Sequence, residues 1–262
     1  GLSQNQSLIC FNLKVKTAKI AKSNLCVFFV MVKILNVKID DYSFKEVMRK
    51  INLFLGGEKL AQIVTVNPEF LLASQRDSIF RKILNQADLS VPDGFGLKIA
   101  GLILKEKIGE RITGVDLSWE IAKLAAKKSY SIFLLGGGEN IAFKASKRFK
   151  LLYPSLKIAG FYAGSPTEKG IVERINASGA DILLVAFGAP KQDKFIYQNR
   201  RKLKCKLAMG VGGTFDYISG NIPRAPLWMR ELGLEWLYRL LRQPTRLGRI
   251  FRAVIIFPLT VI

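Results

Sequence analysis

The sequence predicts an α/β protein of Rossmann-like class: a mostly parallel sheet with flanking helices, plus a basic helical C-terminal appendage. Three observations carry this. Short apolar runs alternate with amphipathic stretches of helical period through most of the chain. The apolar runs are continuous rather than alternating, as strands covered on both faces must be. Several end in Gly, Pro, Asn or Asp, where a strand turns into a loop and then a helix.

In chain order, Lys33–Lys38 reads as a strand, and Ser43 caps a helix to about Leu55, with Asp40-Asp41 also read as capping residues. Ala61–Val66 is an apolar strand ending at Asn67-Pro68, followed by a helical stretch to Asn85. A short strand, Asp88–Val91, closes at Pro92-Asp93-Gly94 and leads into a helix over Phe95–Leu104. Val115–Lys127 is an amphipathic helix, and Ser131–Leu135 a buried strand ending in Gly136-Gly137-Gly138. Helix Ile141–Leu152, strand Lys157–Phe161, helix Glu168–Asn176 and strand Asp181–Ala186 follow. After Gly188-Ala189-Pro190 come a helix to about Lys202 and a strand over Cys205–Gly210.

Both ends differ from this middle. Residues 1–30 contain no acid and little periodicity, and the chain begins at Gly, so they read as an N-terminal extension that is expected to be poorly ordered. Lys14, Lys16, Lys19 and Lys22 before the apolar run Leu25–Val32 imitate a signal peptide, but no small-x-small cleavage site follows. The domain proper is expected over 31–222. Residues 223–262 read as a separate appendage: lysine is absent from Leu207 onward, and seven arginines fall in the last 39 residues. Arg239, Arg242, Arg246 and Arg249 are spaced to share one helix face, with Pro244 kinking the helix or dividing it in two. Together with the apolar tail Ala253–Ile262, this resembles a helix lying on a membrane surface. No run reaches the roughly 20 residues a membrane span needs.

Composition narrows the chemistry. The 262 residues carry 41 Lys+Arg against 20 Asp+Glu, a net charge of +21, which predicts an anionic partner: nucleic acid, anionic lipid or a phosphorylated substrate. Histidine is absent, which removes Ser-His-Asp and Cys-His nucleophiles and every His-ligated metal site, and leaves base catalysis to Asp, Glu, Lys or Tyr. Cys10, Cys26 and Cys205 have no metal spacing and suit a reducing compartment. A nucleic-acid-binding protein is the rival from another class, but the basic residues lack the interleaved aromatics of a single-strand platform.

Ligands of open parallel sheets bind beyond the carboxyl ends of the strands. Five strand ends here are polar or Gly-rich and are expected to converge: those at Thr65–Pro68, Pro92–Gly94, Gly136–Gly138, Gly188–Asp193 and Gly210–Asp216. Asp93 is the best candidate base, with a turn or helix cap as its plain alternative. Asp216 has the same double reading, and Thr65 and Asn67 could bind a polar ligand or cap a helix. Gly136-x-Gly138 hints at a dinucleotide loop, but its third glycine position is Ile141 and no acid lies between Ile141 and Thr167, so a phosphate site or a plain tight turn fits better. Arg111, taken alone, reads as solvated charge. No paired acids end a strand, so no metal-bridged diphosphate site is expected.

Taken together, these segments resemble the WecG/TagA/CpsF family, glycosyltransferase family 26. The resemblance runs through Val64-Thr65-Val66-Asn67-Pro68-Glu69, Ala87–Gly94, Glu110–Leu117, Phe133–Gly137, Gly188–Lys194, Gly210–Asp216 and Arg224-Ala225-Pro226…Gly233–Leu240, in order, over roughly Met31–Arg252. The family usually has Glu where Asp193 stands. The resemblance implies an inverting glycosyltransferase without metal or other cofactor. It would move a sugar, N-acetylmannosamine foremost and another UDP-hexose or the uronic acid as alternatives, from a UDP-sugar to a polyprenyl-diphosphate-linked GlcNAc at the inner face of a bacterial membrane. It implies Asp93 as base, Thr65, Asn67, Arg111 and Gln192 as supporting cleft residues, and Asp216 as a UDP-binding position. Gly136 and Gly137 are expected near substrate, and Arg239, Arg246 and Arg249 on a diphosphate. The expected partners are the donor, the acceptor and an anionic membrane surface, not nucleic acid, with a homo-oligomer left open.

Overall fold

The computed structural model describes residues 31–138 and 140–262, so the expectation for residues 1–30 lies outside the described residues. The described chain from Met31 to Ile262 clusters as one compact unit. It opens with a hairpin, β1 (Met31–Ile34) and β2 (Val37–Asp40), rather than the single strand the sequence suggests. The turn residues Leu35 and Asn36 both take positive φ, 48° and 62°, without any glycine to announce them. α1 (Phe44–Leu55) follows, and its cap is Ser43 in a capping box with Glu46. Asp40 is not a cap: it is buried on β2 and accepts a 2.8 Å bond from the Ser90 amide.

The rest alternates as expected: β3 (Ala61–Val66), α2 (Pro68–Arg76), α3 (Ser78–Gln86), β4 (Leu89–Pro92), α4 (Phe95–Leu104), α5 (Gly114–Lys128) and β5 (Ser131–Gly136). Then come α6 (Ile141–Leu152), β6 (Lys157–Tyr162), α7 (Ile171–Ala177), β7 (Ile182–Ala186), α8 (Lys191–Gln198) and β8 (Leu207–Gly210). One predicted helix is two, because Asp77 leaves helical geometry and caps α3 by accepting from the Phe80 amide. The chain ends in short helices: α9 (Thr214–Ile218), α10 (Leu227–Glu231), α11 (Glu235–Arg242), a 3₁₀ turn (Pro244–Arg246), α12 (Leu247–Phe251), a π-helical turn (Arg252–Ile256) and α13 (Phe257–Val261). Pro244 therefore separates helices, and the four arginines Arg239, Arg242, Arg246 and Arg249 do not share one continuous helix face.

β3 to β8 form a six-stranded sheet in the order β4-β3-β8-β7-β5-β6, with every pairing parallel. Both faces of β3, β4, β5, β7 and β8 are buried, which explains their continuous apolar runs, whereas the edge strand β6 has no buried residue. On β7, Ile182 and Leu184 join a core with α1, α5, α6 and α9, whereas Leu183 and Val185 join a core with α7 and α8. A third cluster packs the hairpin, α2, α3 and α4 around Val64 and Val66, and it includes Phe257 and Val261 of α13. The apolar tail is thus partly turned inward: Phe257 is fully buried, while Ile255, Ile256, Leu259 and Ile262 stay exposed.

The burial of Phe257 makes the C-terminus part of the core. Phe257→Ala should lower unfolding stability by about 3–5 kcal/mol, the usual cost of removing a buried aromatic ring. Denaturant unfolding would show this as a lower midpoint at unchanged slope, and a midpoint near wild type would mean that α13 contributes no core packing.

Candidate active site

A cavity of ≈ 320 Å³ opens at the carboxyl ends of β4, β3, β8 and β7. A wider, shallower groove of ≈ 1050 Å³ runs along α6 and β6 and is lined by Lys144, Lys147, Lys150 and Lys157, with no carboxylate among the described lining residues; the sequence-predicted site residues gather at the smaller cavity instead. Thr65, Asn67, Asp93, Arg111, Gln192, Arg239, Arg246 and Arg249 all line that cavity. Gly136, Gly137 and Asp216 do not. The strand ends of β3, β4, β7 and β8 converge, and that of β5 does not.

Asp93 follows β4 directly, and its backbone N–H donates to the Val66 carbonyl at 2.7 Å, which ties the turn to the end of β3. Gly94 takes φ 93°, a left-handed value that lets the chain reverse into α4. The Asp93 carboxylate does not cap α4; its Oδ2 accepts from the Gly114 amide, 3.4 Å away in the first turn of α5. Asp93 is half-buried, yet its carboxyl lies at the floor of the cleft among protein atoms. Burial pushes its pKa up to about 7. The Gly114 bond and the Arg111 charge oppose that rise, and the charges of Glu235 and Asp116 add to it.

Asn67 caps α2 through a 3.0 Å bond from the Phe70 amide and also lines the cavity. Thr65 is buried at the end of β3. Gln192 works as a tie: its Oε1 accepts from the Gly188 amide at 3.1 Å and the Gly212 amide at 2.8 Å, joining the loops after β7 and β8. A Cβ on Gly210 would fall 2.6 Å from Gln192 Nε2 and 2.8 Å from Asp193 Oδ1, so only glycine lets β8 end against these side chains. The tight-turn reading fits Gly136, where a Cβ would meet the Ala186 backbone at 2.9 Å, and Gly137, where it would meet the Phe215 ring at 3.0 Å. Asp216 sits behind the wall on α9, with its Oδ2 3.6 Å from a Cβ placed on Gly213.

The far wall comes from the chain's end. Arg239 lies over the Tyr217 ring, 5.1 Å from its centroid, and its buried Nε has no hydrogen-bond partner. Arg249 pairs with Glu69 through both carboxylate oxygens. Burial and the charges of Arg239 and Arg249 hold the Arg246 guanidinium below its ordinary pKa. Arg242 stays outside, over the Tyr238 ring. Arg111 is not free charge: it donates to the Arg230 carbonyl at 2.9 Å and approaches Glu235 at 3.8 Å. Glu235, Arg224 and Asp116 are the site neighbours that the sequence reading missed. Asp116 and Glu235 look like surface charge on helices and Arg224 like loop charge, and the pairs Arg224–Asp116 and Glu235–Arg111 join distant parts of the chain. Among the described residues, no group of three or more Cys, Asp or Glu is placed to hold a metal ion.

Comparison with known proteins identifies the family. The family model described as "Glycosyl transferase WecG/TagA/CpsF family" matches residues 32–262. A Bacillus subtilis protein named N-acetylglucosaminyldiphosphoundecaprenol N-acetyl-beta-D-mannosaminyltransferase is 36% identical over 190 residues, 72% of this chain and 74% of its own length. Proteins of the same name from Bacillus spizizenii and Staphylococcus aureus are 34% identical (75% of this chain, 77% of theirs) and 31% identical (84% and 87%).

Asp193, directly after Gln192, yields a stability test. It is fully buried, neither carboxylate oxygen has a hydrogen-bond partner of good geometry, and burial pushes its pKa up to about 7. An unfolded aspartate ionises near 3.9. Between those values the folded protein keeps a proton that the unfolded chain has lost, so stability falls as pH rises from about 4 to 7. Asp193→Asn should match wild type at pH 4 and exceed it at pH 8 in thermal unfolding. Equal melting at both pH values would show that Asp193 does not carry this burden.

Proposed function

We infer the reaction from two things: the chain belongs to the glycosyl transferase WecG/TagA/CpsF family, and its cleft sets a carboxyl group of raised pKa among arginines. We propose that it moves N-acetylmannosamine from UDP-N-acetylmannosamine to the sugar hydroxyl of a polyprenyl-diphosphate-linked N-acetylglucosamine, the acceptor in its relatives' names. Asp93 takes the proton from the acceptor hydroxyl as that oxygen attacks the anomeric carbon, and UDP leaves from the opposite face with inversion. Arg239, Arg246 and Arg249 bind diphosphate charge, Arg111 helps to stabilise the charge that develops on the departing diphosphate, and Thr65 and Asn67 hold the sugar. Gln192 shapes the pocket from beneath, and Asp216 backs the Gly213 wall against which the nucleotide lies. The observation that carries this reading is the Asp93 carboxyl, titrating near neutrality in a cleft where two arginines, Arg239 and Arg246, have no carboxylate partner among the described residues. A base is most effective when its pKa lies near the working pH.

The acceptor is held in a bilayer, and the protein's outer surface suits docking there. Leu241, Leu247, Phe251, Ile255 and Leu259 are exposed beside the outward-facing Arg242 and Arg252. Trp228 and Leu232 on and after α10 are exposed as well. Among the described residues no helix is long and apolar enough to cross a membrane, so we propose peripheral attachment.

Two outcomes are expected. Asp93→Asn keeps the shape of the side chain and removes the base, so turnover should fall about 10²–10⁴-fold, and wild-type turnover should decline as pH drops below about 7, where Asp93 takes up a proton. Near-normal turnover in Asp93→Asn would remove the base assignment. The double substitution of Arg242 and Arg252 by Ala should weaken binding to phosphatidylglycerol vesicles by about 30-fold, at about 1 kcal/mol per cation near an anionic leaflet. Unchanged co-sedimentation would place the membrane-facing surface elsewhere.

A further inference from the structure

We propose that Glu235, at the start of α11, is a positioning residue for the transfer reaction: it holds Arg111 at the cleft wall beside Asp93. This rests on Asp93 being the base. Glu235 lines the cavity and stands between two guanidinium groups. Its Oε2 lies 3.8 Å from Arg111 Nη1, and its Oε1 accepts from Arg224 Nε at 3.4 Å. The outer edge of Arg224 is locked to α5 by two bonds to Asp116, at 2.5 and 2.7 Å, and by one of 3.2 Å to Thr113. Thr113 caps α5, and the next residue, Gly114, donates the amide that Asp93 accepts. A single chain of polar contacts therefore leads from Arg111 through Glu235, Arg224 and Asp116 to the helix end that binds Asp93.

Both anchors of Arg111, Glu235 and the Arg230 carbonyl, come from residues 223–262, so the arginine is placed by the chain's end rather than by its own loop. The charged groups around Asp93 are of both signs. Glu235 and Asp116 raise its pKa and Arg111 lowers it. Across the cavity stand Arg239 and Arg246, with Glu69 paired to Arg249. Asp116 is neutralised by Arg224 in a close pair, whereas Glu235 faces Arg111 at longer range and is the larger negative influence on Asp93. Removing the charge of Glu235 takes away repulsion and leaves Arg111 uncompensated. Both changes favour ionised Asp93.

The test compares pH profiles of kcat/KM for wild type, Glu235→Gln and Glu235→Asp, with UDP-N-acetylmannosamine and a short-chain polyprenyl-diphospho-N-acetylglucosamine as substrates. The acid limb of Glu235→Gln should move to lower pH by at least about 0.3 unit, a twofold change in the ionised fraction on that limb. Its plateau should also fall, because Arg111 loses its tether. Glu235→Asp keeps the charge, so its limb should stay near wild type while its plateau falls. A Glu235→Gln limb at the wild-type pH, with rates reduced equally throughout, would make Glu235 an ordinary structural tie and overturn the proposal. If Glu235→Gln does not fold, a wild-type plateau in Glu235→Asp overturns it equally. Asp93→Asn is run beside them: should it keep the wild-type limb, the base assignment fails, and the effect of Glu235 is then read from the Asp93 carboxyl resonance by ¹³C NMR, where an unmoved titration overturns the proposal.

Discussion

The two-pronged pair between Arg224 and Asp116 decides where the last forty residues sit. It joins the first residues after α9 to the first turn of α5, and both nitrogens at the end of the guanidinium are engaged. Such forked geometry fixes direction as well as distance, and a lysine in its place would fix neither. Burial alone would raise the Asp116 pKa, but Arg224 and Thr113 hold it below the usual carboxylate range. From this anchor α10 and α11 run along the mouth of the cleft, bringing the Arg230 carbonyl and Glu235 to Arg111 and placing Arg239 by Gly213. Four short helices that could not stand alone thereby become a wall.

That wall meets a sheet whose chemistry is set by topology. β3 runs to β4 on one side, and the chain then crosses to build β5, β6 and β7 before β8 returns beside β3. The ends of β4, β3, β8 and β7 meet at this reversal, as ligand sites of open α/β sheets do. Two aspartates with raised pKa values sit there, and they differ in setting. Asp93 faces the cavity and receives an amide hydrogen bond, whereas Asp193 lies behind it with both oxygens unmatched. Unmatched buried polar atoms next to a reaction cleft are a common cost of holding a site in one shape. Here Gln192, the neighbour of Asp193, performs the holding, since its oxygen joins two loops.

Much of this was readable from the chain. The strand over Ala61–Val66 and the helices over Phe95–Leu104 and Ile141–Leu152 appear with the bounds that their patterns suggest. Thr65, Asn67, Asp93 and Gln192 meet because strand ends in a parallel sheet must gather on one side. What was hidden depended on long-range partners. Leu35 and Asn36 turn the chain with left-handed backbone that glycine usually signals. Gly136 and Gly137 look like ligand glycines, yet their missing side chains make room for Ala186 and Phe215. Arg239, Arg246 and Arg249 reach the cleft although Pro244 breaks the helix, because three short segments fold around it. Glu235 means little without Arg111, which stands 124 residues earlier.

The crowding of Arg239, Arg246 and Arg249 has a kinetic side. Guanidinium groups gathered at one wall repel each other, and Arg246 already holds its proton less firmly than a solvated arginine. Any doubly charged group that settles among them gains direct attraction and also cancels that mutual repulsion. The gain grows with the charge of that group. On the proposed reaction the departing diphosphate would meet the same attraction at this wall that drew the donor in.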